Sequence, residues 1–330
     1  MKRILLIFLF GISSLSIGIK NAEAKEQMLL VAYDVIRDYY KQYLPIYINQ
    51  HGNLNVGLSF GGASKQAIAV QNGLPADVVT LNQRNDIELL VKNGWVSPDW
   101  QQKYPNNAVP FYTTIVLLVR KGNPKQIRDW DDLAKDGVKV VFANPKTSGN
   151  GRYAYLSLFG FARKHYADEQ QGNVFLQKVL QNVPLFDAGA RAATITFVQR
   201  EIGDVLIAPE NEASLAAKAL GEDKFEVIYP SYSAAAEVLV AEVDKNTRKH
   251  KNQNLTQDFI ASLWQETAQQ VAAENYFRPT HPSVLKTFAQ RFPEVETFNV
   301  NELFGDWKQI TKQHFADGAL FDQLYLGEKK

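Results

Sequence analysis

An α/β fold with mostly parallel sheets flanked by helices is predicted by three features of the sequence. Short apolar runs that read as strands alternate with amphipathic runs that read as helices, the order that gives parallel pairing. Three turns rich in glycine, alanine and serine each follow such a strand and open such a helix. The 330 residues also exceed what a single hydrophobic core usually serves, leaving room for about two domains.

At the N-terminus, Met1-Lys2-Arg3 precedes an apolar stretch from Ile4 to about Ile19, and Ala22-Glu23-Ala24 stands before Lys25. A charged start, an apolar middle and small residues in an A-x-A pattern predict a secretory signal peptide over residues 1–24. The apolar run is too short, and too rich in Ser and Gly at its end, for a permanent membrane span. The chain has no cysteine, which excludes disulfides, a cysteine lipid anchor and thiol catalysis. An exported protein without an anchor is best retained by a second membrane, so the bacterial periplasm is the expected location. Lys and Arg number 36 against 35 Asp and Glu, a net charge of +1. That balance gives no general attraction for nucleic acid or acidic membranes, so any anion must be held by local geometry.

Leu29 to Ala32 reads as a first buried strand, with Tyr33-Asp34 opening a helix through VIRDYYKQYLPIYINQ. A strand near Leu54 to Leu58 leads through Gly61-Gly62-Ala63-Ser64 into a second helix. Ala76 to Asn82 is a short buried strand with a polar end, and a helix follows from about Asn85 or Asp86 to Gly94. Tyr112 to Arg120 is dense in β-branched and apolar residues and is the strongest strand signal of the chain. Asp129 starts a short helix, and Val138 to Ala143 is again a strand. After a helical region through Lys178, Gly189-Ala190-Arg191 forms the third small-residue turn. Asp204 to Ala213 reads as a strand broken by Pro209, which fits only a strand end or edge. FEVIYPS and AAEVLVAEVDK read as extended, and from Leu255 the pattern is mainly helical.

The stretch Asn144 to Arg152 (NPKTSGNGR) is the leading candidate for a ligand site. It joins a strand to a helix start, where backbone N–H groups lack intrahelical partners and the helix dipole is positive, so it suits an anion. Ser148 adds a hydroxyl donor and Gly149 permits close backbone approach. The same residues also serve an ordinary N-cap, and the three turns also fit the βα loops of a large α/β enzyme. In open α/β sheets such turns gather at the carboxyl ends of the strands, where ligands bind. Catalytic motifs are missing: Ser64, Ser148 and the five histidines lie in no G-x-S-x-G elbow or H-E-x-x-H helix. Ser283 and Lys286 have the S-x-x-K spacing without its companion motifs. The histidines are also too isolated for a metal site, so neither an enzyme nor a cofactor is expected.

Nearly the whole exported chain resembles the sulfate- and thiosulfate-binding proteins of bacterial ABC importers. The matching segments, in preserved order, are AYDVIRDYY, GGASKQA, LPADVVTLN, LLVRKGNPKQIRDWDDLAK, NPKTSGNGRY, GARAATITFVQR, IGDVLIAPENEA, YFRP and LFGDWKQITKQHFADGALFDQLY. The resemblance implies a two-lobed type II periplasmic binding protein with the ligand cleft between its lobes. Lobe 1 would comprise residues 25–112 plus about 238–330, lobe 2 residues 113–237, and the hinges would lie near Tyr112–Thr114 and Ser233–Glu237. It further implies a monomer that hands its anion to a membrane permease, and an anion held by N–H groups and neutral side chains without a cation in contact. By position the ligand contacts would be the backbone N–H groups of Asp34, Gly149, Asn150 and Ala190 and both the hydroxyl and the N–H of Ser148. Lys65, Arg152 and Arg191 would stand beside them without touching the ion, or else form surface or interlobe salt bridges.

Two departures from the family bear on the ligand. Ala63 stands where sulfate binders commonly have serine, and Pro209 where they have an aromatic residue, often tryptophan. A hydrogen bond to a charged group contributes about 1.5–3 kcal/mol, so each lost donor would weaken binding roughly ten- to a hundredfold. Ser64 is the expected substitute for the missing hydroxyl, and a roomier, more apolar wall would suit thiosulfate; the same departures leave open another tetrahedral oxyanion, such as molybdate or phosphate, or an organosulfonate. The carboxylate of Asp34 is expected to turn away, leaving a cleft of donors alone that rejects hydrogen phosphate.

Overall fold

The computed structural model describes residues 26–52, 54–220 and 223–326. The expected signal peptide at 1–24 lies outside them. Among the described residues no helix is long and apolar enough to cross a membrane.

The strands, in chain order, are β1 (Glu26–Tyr33), β2 (Leu54–Gly61), β3 (Val78–Leu81), β4 (Phe111–Arg120), β5 (Val140–Ala143) and β6 (Phe186–Asp187). They continue with β7 (Val205–Pro209), β8 (Phe225–Ile228), β9 (Tyr232–Glu237), β10 (Leu239–Glu242), β11 (Arg278–Pro279) and β12 (Glu296–Phe298). One sheet has the order β10-β3-β1-β2; the other runs β12-β9-β4-β7-β5-β6, with β8 and β11 also on β4. Pairing is parallel at β1–β2, β1–β3, β5–β6 and β5–β7. β10 enters the first sheet antiparallel, and β4 runs antiparallel to every strand it meets.

β4 contributes to three hydrophobic clusters, two on the faces of the second sheet and one around the first sheet. Successive side chains of a strand point to opposite faces. Ile115, Leu117 and Val119 therefore enter one cluster, with Phe142 and Tyr155, while Val116 and Leu118 enter another, with Phe197 and Leu206. All five are at most 1% exposed. At about 1.5–3 kcal/mol for each fully buried aliphatic side chain, this segment anchors the second sheet on both faces. Phe111, at the start of the strand, belongs instead to the first core with Leu30, Tyr39 and Phe277. Between them Tyr112, Thr113 and Thr114 pair with Glu237, Ala236 and Ala235 of β9, the segments where hinges were expected.

Two sequence expectations are revised. The run Asp204 to Ala213 is a strand only to Pro209, and Glu210–Leu220 is a helix. Proline completes the strand because that position needs no further ladder N–H. The C-terminal segment, expected with residues 25–112, instead packs its Phe298, Phe304, Trp307, Phe315 and Phe321 into the core around Tyr153 and Tyr155. β12 also pairs with β9, and Lys146 binds Asp317 (2.8 Å) and Asp322 (2.7 Å). Val238, Leu239, Val240, Phe259, Ile260, Leu263 and Phe277 pack into the first core.

Candidate anion-binding site

Four helix starts face one cavity of about 370 Å³. That is near the small end of the roughly 300–1,000 Å³ range of small-molecule pockets. Its wall includes Tyr33, Asp34, Gly62, Ala63, Ser64, Lys65 and Asn82 from the half of the chain around the first sheet. Thr147, Ser148, Gly149, Asn150, Gly189, Ala190, Arg191 and Ile195 come from the half around the second.

The helices beginning at Asp34, Ala63 and Ala190 have no side-chain hydrogen bond at their N-caps, Tyr33, Gly62 and Gly189. The first N–H groups of the Ala63 and Ala190 helices thus keep their donor capacity for what enters the cavity, whereas at Asp34 the residue's own carboxylate accepts from the N–H groups of Asp34 and Val35. At the Gly149–His165 helix Ser148 is the N-cap, its Oγ accepting from the Gly151 N–H at 3.2 Å. That bond uses a lone pair and leaves the hydroxyl hydrogen free to donate. Gly149 is required by close approach: a Cβ there would lie 2.7 Å from Asn82 Oδ1 and 2.9 Å from Gln83 Cγ.

Nine of the eleven residues singled out in the sequence are thereby brought together: Asp34, Ala63, Ser64, Lys65, Ser148, Gly149, Asn150, Ala190 and Arg191. Pro209 is not among them; it is buried at the end of β7, paired with Ile115. Arg152 is also outside the wall. Its Nε donates to Pro145 O (3.1 Å) and its Nη1 to Gln83 Oε1 (3.3 Å).

The cations are mostly committed elsewhere. Arg191 Nη1 lies 3.1 Å from Oε1 of the buried Glu212. Lys146, in the loop itself, is held by Asp317 and Asp322. Lys65 is exposed, and among the described residues it has no ion-pair partner within 4 Å.

Two side chains, Ser64 and Asp34, differ from expectation. The Ser64 hydroxyl donates to Asp86 Oδ2 at 3.1 Å, so its hydrogen is already used. Burial pushes the Asp86 carboxyl up to about 6, against the opposing pull of the Ser64 bond and the Arg152 charge. Burial likewise raises the Asp34 carboxyl, while the N–H groups of Asp34 and Val35 and the charges of Arg37 and Arg191 oppose the rise. The Asp34 carboxylate therefore lies over its own helix start instead of turning away. Together with Ser64 it puts acceptors at a wall expected to hold donors alone. Glu212 is raised by burial too, with Arg191 opposing and Asp34 adding to the rise.

Sequence reading missed Asn82, whose Nδ2 donates to Asn150 Oδ1 at 2.8 Å in a buried contact. Beside it Gln83 Nε2 reaches Gly149 O at 3.4 Å. The available signal was the polar end of the strand before Asn82, since the carboxyl ends of strands are where such sites form.

A larger cavity of about 660 Å³ lies between Phe159, Tyr166, Leu303 and Phe304. Its helix start at Glu169 is already capped by Asp168, which accepts from the Gln171 N–H. Two carboxylates at that edge also disfavour an anion.

The family model for bacterial extracellular solute-binding proteins matches residues 29–278. A thiosulfate-binding protein of Pseudomonas aeruginosa is 48% identical over 96% of this chain and 98% of its own. A sulfate-binding protein of Escherichia coli K12 is 44% identical over 90% of this chain and 92% of its own. Among solved structures, the sulfate-binding protein SubI from Mycobacterium tuberculosis H37Rv superposes with a TM-score of 0.77 at 31% identity, covering 88% of this chain and 99% of that one. With the matched span covering most of both sheets and all four helix starts, the chain belongs to the bacterial extracellular solute-binding protein family.

Proposed function

We propose that this protein captures sulfate or thiosulfate in the periplasm, after removal of residues 1–24, and delivers it as a monomer to the permease of an ABC importer. The observation that carries the proposal is the convergence of four helix starts on one small cavity, those at Ala63 and Ala190 without any side-chain cap. Uncapped N–H groups and the positive ends of helix dipoles hold a divalent anion without a cation in contact. The named activities of the relatives, thiosulfate and sulfate binding, point to the same ligands. The contacts assigned to this chain are the N–H groups of Asp34, Gly149, Asn150 and Ala190 and the Ser148 hydroxyl, with Ala63 and Ser64 against the ligand. Arg191 and Arg152 act at a distance, and Pro209 takes no part.

Thiosulfate is the favoured anion. Ala63 has no hydroxyl, Ser64 spends its hydrogen on Asp86, and Ile195 adds an apolar wall. A terminal sulfur, larger than oxygen and a weaker acceptor, loses less than an oxygen does against that surface. Titration calorimetry with both anions tests this: thiosulfate is expected to bind about tenfold tighter than sulfate or better. Sulfate binding much tighter than thiosulfate would refute the preference, and heat from neither would refute the function.

A further inference from the structure

The Ser64–Asp86 hydrogen bond lies at the edge of the anion cavity and links two helices. Ser64 is the second residue of the Ala63–Gln71 helix, and Asp86 is in the first turn of the Arg84–Lys92 helix, 4% exposed. The bond is 3.1 Å long with Ser64 as donor. A hydroxyl has one hydrogen and two lone pairs. While Asp86 is a carboxylate, the hydrogen points to it, and only lone pairs remain for the cavity that Ser64 lines. An anion oxygen meets repulsion there.

We propose that Asp86 is a positioning residue that sets the polarity of the Ser64 hydroxyl and so makes oxyanion affinity depend on pH, an inference that rests on the function proposed above. A protonated Asp86 donates its own hydrogen to Ser64 Oγ. The Ser64 hydrogen then turns to the cavity and becomes a donor to the anion, standing in for the hydroxyl absent at Ala63. Affinity for sulfate therefore rises as pH falls through the titration of Asp86, which burial moves up to about 6. The gain is smaller for thiosulfate if its sulfur occupies that corner.

The charges around Asp86 leave this proton transfer to it. Arg152 acts on it from the Gly149–His165 helix without forming an ion pair, its guanidinium bonded to Pro145 and Gln83. On its own helix Arg84 is paired with Glu237 at 3.1 Å, and Glu88 accepts from the Trp100 indole at 3.3 Å. Lys65 on the Ala63–Gln71 helix and Lys308 on the packed Trp307–Ile310 helix are the other charged side chains of the elements against it. Asp34 and Glu212 also have raised carboxyls near the cavity, so their share of any pH dependence must be separated.

The test is calorimetric titration of the intact exported protein with sodium sulfate from about pH 8 to about pH 5, a range that brackets the Asp86 titration. Sulfate stays fully ionised throughout, so only the protein changes charge. For the wild type, affinity is expected to rise about tenfold toward the acidic end, the scale of one hydrogen bond to a charged group. Ser64→Ala should lose most of that rise while keeping any part due to Asp34 and Glu212. Asp86→Asn should flatten the profile in the same way, and its melting curve confirms folding. A flat wild-type profile overturns the inference, as does an equal rise in Ser64→Ala. Absence of binding by sulfate and thiosulfate at every pH overturns the proposed function along with it.

Discussion

Asp86 bears on stability as well as on binding. A free aspartate titrates near 3.9, whereas the folded protein holds this carboxyl up to about 6 through burial. The folded state thus binds the proton more tightly than the unfolded one. The stabilising share is complete below about pH 4 and is lost as pH rises through about 6. Asp86→Asn removes the charge at nearly constant shape, so it is expected to be more stable than the wild type at about pH 8 by an amount on the order of 2 kcal/mol. Near pH 4 the difference should vanish. Urea denaturation at both pH values checks this, and equal or greater destabilisation of the variant at about pH 8 would contradict it. At this scale the sequence was informative where partners are neighbours along the chain: Ser148, Gly149 and Asn150 stand in one loop and face one cavity. It was silent about Ser64 and Asp86, 22 positions apart, and about Asn82 and Asn150, 68 apart. Side-chain pairing over such distances depends on how the helices pack, which no local pattern records.

At the scale of helices and turns, Gly149 and Gly151 separate closure from folding. A methyl at Gly149 would strike Asn82 and Gln83, which belong to the other half of the molecule. A methyl at Gly151 would strike the Ala143 carbonyl of the adjoining strand, within the same half. Alanine is otherwise preferred to glycine in a helix by about 1 kcal/mol. Gly149→Ala is therefore expected to keep or raise the melting temperature of the unliganded protein while weakening anion binding at least about tenfold. Gly151→Ala should lower the melting temperature itself. Melting curves and calorimetry on both variants decide the matter, and a Gly149→Ala variant with unchanged affinity would show that the two halves need not meet there. The strand-turn-helix units were legible because each turn is short and each strand apolar. The Asp204–Ala213 run was misread beyond Pro209 because its Glu-Asn-Glu-Ala end, though helix-forming, follows an apolar strand without a glycine to mark the change.

Across the whole molecule, β4 enters the clusters of both halves, and the anion cavity lies where the helix starts of both halves meet. β4 and β9 pair between the cores at Tyr112–Thr114 and Ala235–Glu237, and we propose that bending at these strands opens and shuts the cavity as one movement. The C-terminal aromatic residues from Phe298 to Phe321 stiffen the second half by filling its core. Their destination was hidden from sequence because an amphipathic helix shows that it has a partner and not which one. With Arg191 bound to Glu212 and Lys146 to Asp317 and Asp322, Lys65 is, among the described residues of the cavity wall, the cation without an ion pair and so the one to challenge a grip made of uncharged donors. A crystal structure of the protein with thiosulfate bound tests that grip directly. The anion oxygens are expected about 2.7–3.2 Å from the Ser148 hydroxyl and from backbone nitrogens at Gly149, Asn150 and Ala190, with no lysine or arginine nitrogen at that distance. A thiosulfate resting against the Lys65 ammonium or the Arg191 guanidinium would contradict it.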